Sequence, residues 1–444
     1  MNDAPDNQTE AALVRAEIFR LVERYAELAH APRAFDPQIS SVPVNGKVYG
    51  AEEMVSLVDS ALEFWLTTGR FNDAFEAGLA KFLGTRYVLT ANSGSSANLV
   101  AIAALTSPML GADALQPGDE VITCATGFPT TVNPLLQTGL VPVFVDVELP
   151  TYNIRAELIE AAITPRTRAI VIAHTLGNPF DLDTVMAVAR KHKLRVIEDC
   201  CDALGSTYDG APVGSFGDVA TLSFYPAHHI TTGEGGAVFT KSSQFKRILE
   251  SIRDWGRDCW CPPGHDNTCK QRFGWKLGGL PIGYDHKFTY SNLGYNLKMT
   301  DMQAAIGLAQ LDRLEGFIAT RKENFSALRA GMERWSEFLV MPEATAKSDP
   351  SWFGFPLTVR PNAPLTRDAL VAHLHRARIA TRYLFGGNLI HQPYMAGRNF
   401  RVFGETPNAN LVMTSTFWIG VYPALGEAQI GYVLDSFESF FRGV

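Results

Sequence analysis

Apolar positions along the chain change their period twice. Over residues 10–30 they recur at intervals of three and four, the spacing of an amphipathic helix, and a second helical pattern runs over 51–67. Between them, residues 42–50 carry Pro43, Asn45 and Gly46 and read as a short strand pair around a turn. The first eight residues lack such a pattern and are expected to be disordered. From residue 69 onward the pattern becomes short continuous apolar runs separated by helical stretches. The runs fall at 87–90, 120–124, 141–147, 169–173, 194–198, 219–224 and 236–240. A strand covered on both faces has no polar side to alternate with. Continuous runs flanked by helices therefore predict a mostly parallel sheet buried between two layers.

The alternation stops over 253–296, a stretch rich in Gly, Pro and aromatic residues. A loop of that length with no structure of its own is functional or disordered, and its aromatics and cysteines favour function. A helix over 300–314 follows. The remainder mixes helices at 321–335 and 366–376 with strands at 352–359 and 380–383. The reading is an N-terminal helical arm (1–68), a large α/β domain carrying the long loop (69–314) and a smaller C-terminal α/β domain (315–444).

Bulk properties narrow the functional classes. The 444 residues are 46% hydrophobic and 19% charged, as in an ordinary globular protein. A net charge of −7 disfavours binding to nucleic acid or to an anionic membrane surface. The start, Met1-Asn2-Asp3-Ala4-Pro5-Asp6, has no basic or apolar leader, and runs such as 99–105 are too short to span a bilayer. A cytoplasmic protein is expected. Six cysteines are too few and too uneven for a disulfide scaffold, and five of them cluster: Cys200 with Cys201, and Cys259, Cys261 and Cys269. That grouping points to metal or redox chemistry.

Three places carry candidate chemistry. Asn92-Ser93-Gly94-Ser95-Ser96-Ala97-Asn98 closes a strand and opens a helix, either as an ordinary turn or as an anion cradle of backbone N–H groups. Asp199 ends an apolar strand, where a carboxylate stands at the ligand-binding edge of a parallel sheet or caps a helix. Cys259, Cys261 and Cys269, with a fourth thiolate from Cys201 or its neighbour Cys200, suit either zinc or a 2Fe-2S cluster.

The segment Ser223-Phe224-Tyr225-Pro226-Ala227-His228, followed by Gly233-Glu234-Gly235-Gly236, resembles the cofactor segment of the DegT/DnrJ/EryC1/StrS family of pyridoxal-phosphate sugar aminotransferases. His228 stands where the family carries its Schiff-base lysine. The resemblance implies a fold-type-I, aspartate-aminotransferase-like chain: a large doubly wound, mostly parallel seven-stranded sheet with a smaller C-terminal α/β domain. It implies phosphate contacts from Gly94, Ser95, Ser96 and Ser223, a stacking ring from Phe128, and Asp199 at the pyridine nitrogen. His174 matches a His-x-x-Gly stretch, and Asp202 stands where Gln or His is common. Asn296 matches an asparagine that reaches the cofactor of a neighbouring subunit, which implies a homodimer with shared sites.

The lost lysine and the Cys-x-Cys-x7-Cys loop together resemble the iron–sulfur branch of that family. The resemblance implies pyridoxamine phosphate (the amine form of pyridoxal phosphate) held without a covalent link, and a 2Fe-2S cluster. The substrate implied is a CDP- or TDP-linked 4-keto-6-deoxyhexose that loses its C3 hydroxyl. Electrons would come from an NADH-dependent flavin/iron–sulfur reductase. His228 would be the base, with His229 as competitor, because an imidazole moves protons near neutral pH but forms no stable imine. Arg382, Asn388 and His391 are candidate sugar or nucleotide contacts by position. Two rivals remain: a cluster-free dehydratase that restores its cofactor with glutamate, and a noncatalytic zinc-stabilised sugar-nucleotide binding protein.

Overall fold

All seven strands expected of the large sheet form and pair in one layer of the computed structural model, which describes residues 4–31 and 33–443. They are β1 (Tyr87–Ala91), β2 (Glu120–Cys124), β3 (Val141–Val145), β4 (Thr167–Ala173), β5 (Arg195–Asp199), β6 (Val219–Ser223) and β7 (Gly236–Thr240). Their spatial order is β1-β7-β6-β5-β4-β2-β3, and β7 alone runs antiparallel to its neighbours. The continuous apolar runs have a direct cause. Along β4, Ile170 and Ile172 enter the core on one face while Ala169 and Val171 enter the core on the other. Among the covering helices, α1 (Ala4–Ala29), α2 (Ala51–Glu63) and α3 (Arg70–Leu83) precede the sheet. Helices α4 (Gly94–Leu105), α5 (Pro129–Gln137), α6 (Leu182–His192) and α7 (Ser243–Arg253) alternate with its strands. Helix α4 is apolar nearly all round because it is wedged against the sheet, with Val100 through Leu105 buried.

The C-terminal half carries α8 (Asp301–Leu311), α9 (Leu314–Met332), α10 (Arg367–Arg376), α11 (Pro407–Ser415) and α12 (Glu427–Phe441). Strands β8 (Leu339–Val340), β9 (Gly354–Val359) and β11 (Thr416–Gly420) form a separate antiparallel sheet around a core that includes Phe325, Trp335, Phe355, Phe417 and Phe437. Among the described residues no helix is long and apolar enough to cross a membrane.

The structure departs from expectation in four places. Helix α1 begins at Ala4, so residues 4–8 are helical rather than disordered; residues 1–3 lie outside the described residues. Residues 42–50 form no strand pair. Instead Val42 bridges Ile379 in parallel, and its backbone pairs with Arg378 and Ala380. Residues 380–383 contribute only an isolated bridge, Arg382 to Trp418. Finally, an eighth strand, β10 (Arg401–Val402), crosses back from the C-terminal half to pair with β3 in parallel. Two residues are too short to leave a period in the sequence; a side chain holds them. Arg401 donates from Nη2 to Glu120 Oε2 at 2.7 Å and from Nε to Oε1 at 3.2 Å, while Arg166 and Thr164 donate to the same carboxylate. The Glu120 side chain has no solvent exposure.

The 253–296 loop is anchored rather than loose. Bridges Asp254–Asn296 and Arg257–Tyr290 close its base, and Trp275 stacks on His286 at 4.9 Å with Trp260 edge-on to both. Arg272 clamps Asp285 through two bonds of 2.9 and 2.8 Å.

Arg401→Ala should leave the buried Glu120 carboxylate with only Arg166 and the threonines, at a cost of about 1–3 kcal/mol. A urea midpoint lowered in proportion, followed by circular dichroism, is the expected result; an unchanged midpoint would show that the eighth strand adds no stability.

Candidate active site

A cavity of about 720 Å³ opens at the C-terminal ends of the parallel strands, the edge where open α/β sheets bind ligands. Asp199, the last residue of β5, lies in its floor in register with Ala173 on β4 and Thr221 on β6. The residue is 4% exposed, and both its carboxylate oxygens accept hydrogen bonds. Oδ2 accepts from Asn98 Nδ2 at 2.8 Å and Thr131 Oγ1 at 2.7 Å, and Oδ1 accepts from the Cys201 amide at 3.1 Å. Asn98 is fixed in turn, since its Oδ1 accepts from Thr221 Oγ1 at 2.7 Å. The carboxylate therefore has one orientation, set by α4, α5 and β6.

One wall is the start of α4. Ser93 caps the helix, its Oγ accepting from the Ser96 amide at 3.0 Å, so Gly94 and Ser95 stand at the N-terminus with their amides free of intrahelical partners. A Cβ on Gly94 would fall 2.4 Å from Ser223 Cβ and 2.7 Å from its Oγ. The glycine is what lets Ser223 approach the helix end. Ser93, Gly94, Ser95 and Ser223 line the cavity; Ser96 does not, and its hydroxyl accepts from Ser93 Oγ at 3.0 Å. Phe128 stands at the mouth, 51% exposed, edge-on to Phe385.

His228 lines the cavity, whereas His229 is turned away, with Nε2 bonded to the Ser351 carbonyl at 2.8 Å. The His228 Nδ1 is buried with no hydrogen-bond partner; Asp202 Oδ1 lies 3.5 Å from it. Burial, and then the Arg321 guanidinium, push the imidazole down to about 4, so it is neutral and able to accept a proton above that pH. Burial and then the Asp199 charge push the Asp202 carboxyl up to about 8.

His174 lines the cavity and is held firmly from the protein side. Its ring is wholly buried, stacked on Phe180 at 4.3 Å, with Nδ1 accepting from the Phe180 amide and Nε2 facing Glu198 at 3.2 Å. Glu198 also accepts from the amides of Gly214, Phe216 and Gly217. His174, Glu198 and Cys200 are the one group of three such ligand atoms within 4.8 Å of one another among the described residues, but these bonds already fill it. Asn296 is exposed and lines no part of the cavity in the single chain. Of the C-terminal candidates, Arg382 lines the cavity; Asn388 is buried against Thr406 and Asn410, and His391 bonds to Asn410.

The thiols differ in environment. Cys201 lines the cavity, while Cys200 is buried with its thiol toward the Glu198 carbonyl at 3.7 Å. Burial and the Asp199 charge push the Cys201 thiol well up. In the loop, burial raises Cys261 but hydrogen bonds from Thr268, 3.0 Å away, and from the backbone outweigh it, leaving the thiol below its usual value. Neighbouring Cys259 is pushed up, by burial first. The four thiols are not drawn together as a compact tetrahedral set among the described residues.

Sequence reasoning missed Asn98, Thr131, Phe353 and Trp418, all of which line the cavity. Asn98 lies two residues beyond the Ser-Gly-Ser-Ser stretch and could have been read as a partner for Asp199. The two aromatics come from the C-terminal half and leave no local signal.

Residues 48–438 match the DegT/DnrJ/EryC1/StrS aminotransferase family. The lipopolysaccharide biosynthesis protein RfbH of Salmonella typhimurium is 61% identical over 428 residues, 96% of this chain and 98% of that protein. The dTDP-4-dehydro-2,6-dideoxy-D-glucose 3-dehydratase of Saccharopolyspora spinosa is 52% identical, over 90% of this chain and 87% of its own. Among solved structures, Escherichia coli GDP-4-keto-6-deoxy-D-mannose-3-dehydratase with bound hydrated PLP superposes with a TM-score of 0.81 at 28% identity, covering 89% of this chain and 98% of that one.

Because the thiolate is the reactive form, iodoacetamide at pH 8 should modify Cys261 ahead of Cys259 in metal-free protein and leave buried Cys124, pushed up to about 12, and Cys200 for last. Peptide mass spectrometry over time reads the order.

Proposed function

The chain belongs to the DegT/DnrJ/EryC1/StrS aminotransferase family, and from that premise we propose that it removes the C3 hydroxyl of a nucleotide-linked 4-keto-6-deoxyhexose. The observation that carries the reading is at position 228. An imidazole faces the cavity, and no lysine is among the described residues lining it. The cofactor is therefore held without a covalent link, as pyridoxamine phosphate. When bound, it supplies an amine for the ketone and a ring that takes up electrons.

The chain's own groups divide the remaining work. The N-terminus of α4 at Gly94 and Ser95, with the Ser223 hydroxyl, holds the phosphate. Asp199, immobilised by Asn98 and Thr131, keeps a proton on the pyridine nitrogen, and Phe128 offers its exposed face to the ring. His228 in its neutral form takes the proton from the cofactor's C4′ carbon; its preference over His229 rests on the inward turn of the one and the outward bond of the other. His174 and Asp202, which also line the cavity, complete the cofactor's surroundings, Asp202 beside His228. Arg382 is suited to the substrate's diphosphate. The nucleotide is CDP or TDP, and 3-dehydratases among the similar proteins support the reaction class. In a homodimer, Asn296 of each copy would complete the other's site.

Cys259, Cys261 and Cys269, with Cys201, would hold a 2Fe-2S cluster, which supplies one-electron transfer from an NADH-dependent flavin/iron–sulfur reductase. The donor chemistry suits this: soft thiols in one loop, one of them already favoured as thiolate. Cys201 would ionise beside Asp199 only with the positive charge of bound iron next to it. Cys200, committed to its backbone contact, is the poorer fourth ligand. A cluster-free, glutamate-restored dehydratase would leave the loop thiols without a task.

Replacing His228 with Asn should abolish exchange of the C4′ hydrogen with solvent while the cofactor still binds; undiminished exchange would remove His228 as the base. Anaerobically prepared protein should contain iron and sulfide in equal amounts and absorb in the visible, whereas zinc without iron would overturn the cluster. Gly94→Ala should weaken pyridoxamine phosphate binding by an order of magnitude, about 1.4 kcal/mol, in a fluorescence titration.

A further inference from the structure

A general base needs its ring held at a fixed angle to the proton it takes, and that is commonly done by a hydrogen-bonded third group. His228 has no side-chain partner of that kind: apart from the Cys201 backbone, which favours its charged form, no group bonds well to the ring. Its Nδ1 is buried and unbonded, with Asp202 Oδ1 at 3.5 Å, beyond a good hydrogen bond. What touches the ring is Phe353, stacked on the imidazole with centroids 5.1 Å apart and planes 25° apart. Phe353 is itself immobile. It is 4% exposed and packs on Trp418 at 5.3 Å, and its amide donates to the Leu176 carbonyl at 2.8 Å. Arg321, buried to 1% exposure, ties both ends of the contact: Nη2 donates to the His228 carbonyl at 3.2 Å and Nη1 to the Trp352 carbonyl at 3.2 Å.

We propose that Phe353 is a positioning residue for the reaction: its ring face, fixed by Trp418 and by the Arg321-tied backbone, sets the plane of the His228 imidazole in place of a side-chain hydrogen bond. The inference rests on His228 being the base. Stacking suits this place because a hydrogen bond to a carboxylate would draw the imidazole toward its charged form, whereas an aromatic face orients it and leaves it neutral. The ring contact also comes from the C-terminal half, so the base is aligned only when the two halves of the chain are docked.

Phe353→Leu removes the ring and keeps the apolar volume; Phe353→Tyr keeps both. In cofactor-free protein labelled with ¹³C at histidine Cε1, the His228 resonance, assigned by its absence in His228→Asn, should lose its ring-current displacement in Phe353→Leu and retain it in Phe353→Tyr. In the holoenzyme, kcat for dehydration should fall about 10- to 100-fold in Phe353→Leu, with KM changed less than about twofold and activity restored in Phe353→Tyr. A Leu variant with full kcat overturns the positioning role. So does one whose loss tracks loss of bound cofactor, or an unmoved His228 resonance. If His228→Asn itself retains C4′ exchange, the base assignment fails instead, and the two failures are told apart by that control.

Discussion

A carboxylate buried at the C-terminal end of a parallel strand must be met by donors, because leaving it bare would cost several kcal/mol. Asp199 is that group, and meeting it draws together parts of the chain far apart in sequence. Asn98 arrives on α4, Thr131 on α5 and the Cys201 amide from the turn that follows, while Thr221 on β6 donates to Asn98 and steadies it. Once these are fixed, so are their neighbours. Asn98 is one turn beyond Gly94, so its bond to Asp199 aims the helix N-terminus at Ser223. Thr131 is three residues beyond Phe128, so its bond places that ring at the mouth. The geometry of the cavity follows from the needs of one buried charge.

The second level of order comes from the C-terminal half, which supplies no group to the Asp199 network yet closes the cavity with Phe353, Trp418 and Arg382. Here the contacts are mostly apolar or made through backbone carbonyls. Arg321 is wholly buried and is spent on carbonyls, including that of His228. The cavity thus has a polar wall, built from the start of α4 and Asp199, and an aromatic wall on which the His228 imidazole stacks. This division matches the chemistry proposed, in which binding and reactivity are separate tasks.

Much of this was legible in the chain. The seven continuous runs forecast the large sheet because burial on both faces erases the polar alternation, and the match of Ile170 and Val171 to opposite cores shows why. Gly94, Ser95, Asp199, Ser223 and His228 stand together at the strand ends because each follows, or closes, a strand in sequence. Ser96 and His174 were harder: the same residue types serve equally as a cap or a support, and only three-dimensional partners decide. Residues 42–50 misled because their turn-forming residues carry an extended segment across to Ile379 rather than back on itself. Phe353 could not be foreseen at all, since a stacking contact between positions 125 residues apart leaves no trace in either local pattern.

The short strand β10 has a bearing on how the molecule comes to be. The edge it covers, β3, is complete by residue 145, but its cover arrives only at residue 401. During synthesis from the N-terminus, about 250 residues emerge while that edge offers unpaired amides and carbonyls beside an almost wholly apolar strand. The order of synthesis is therefore built into the connectivity: the strands of the large sheet emerge before the segment that covers one edge, and Arg401 can meet Glu120 only late. A chain interrupted shortly before that point carries all seven strands of the large sheet, lacks Trp418 from the cavity wall, and leaves the β3 edge as an exposed template for misassembly.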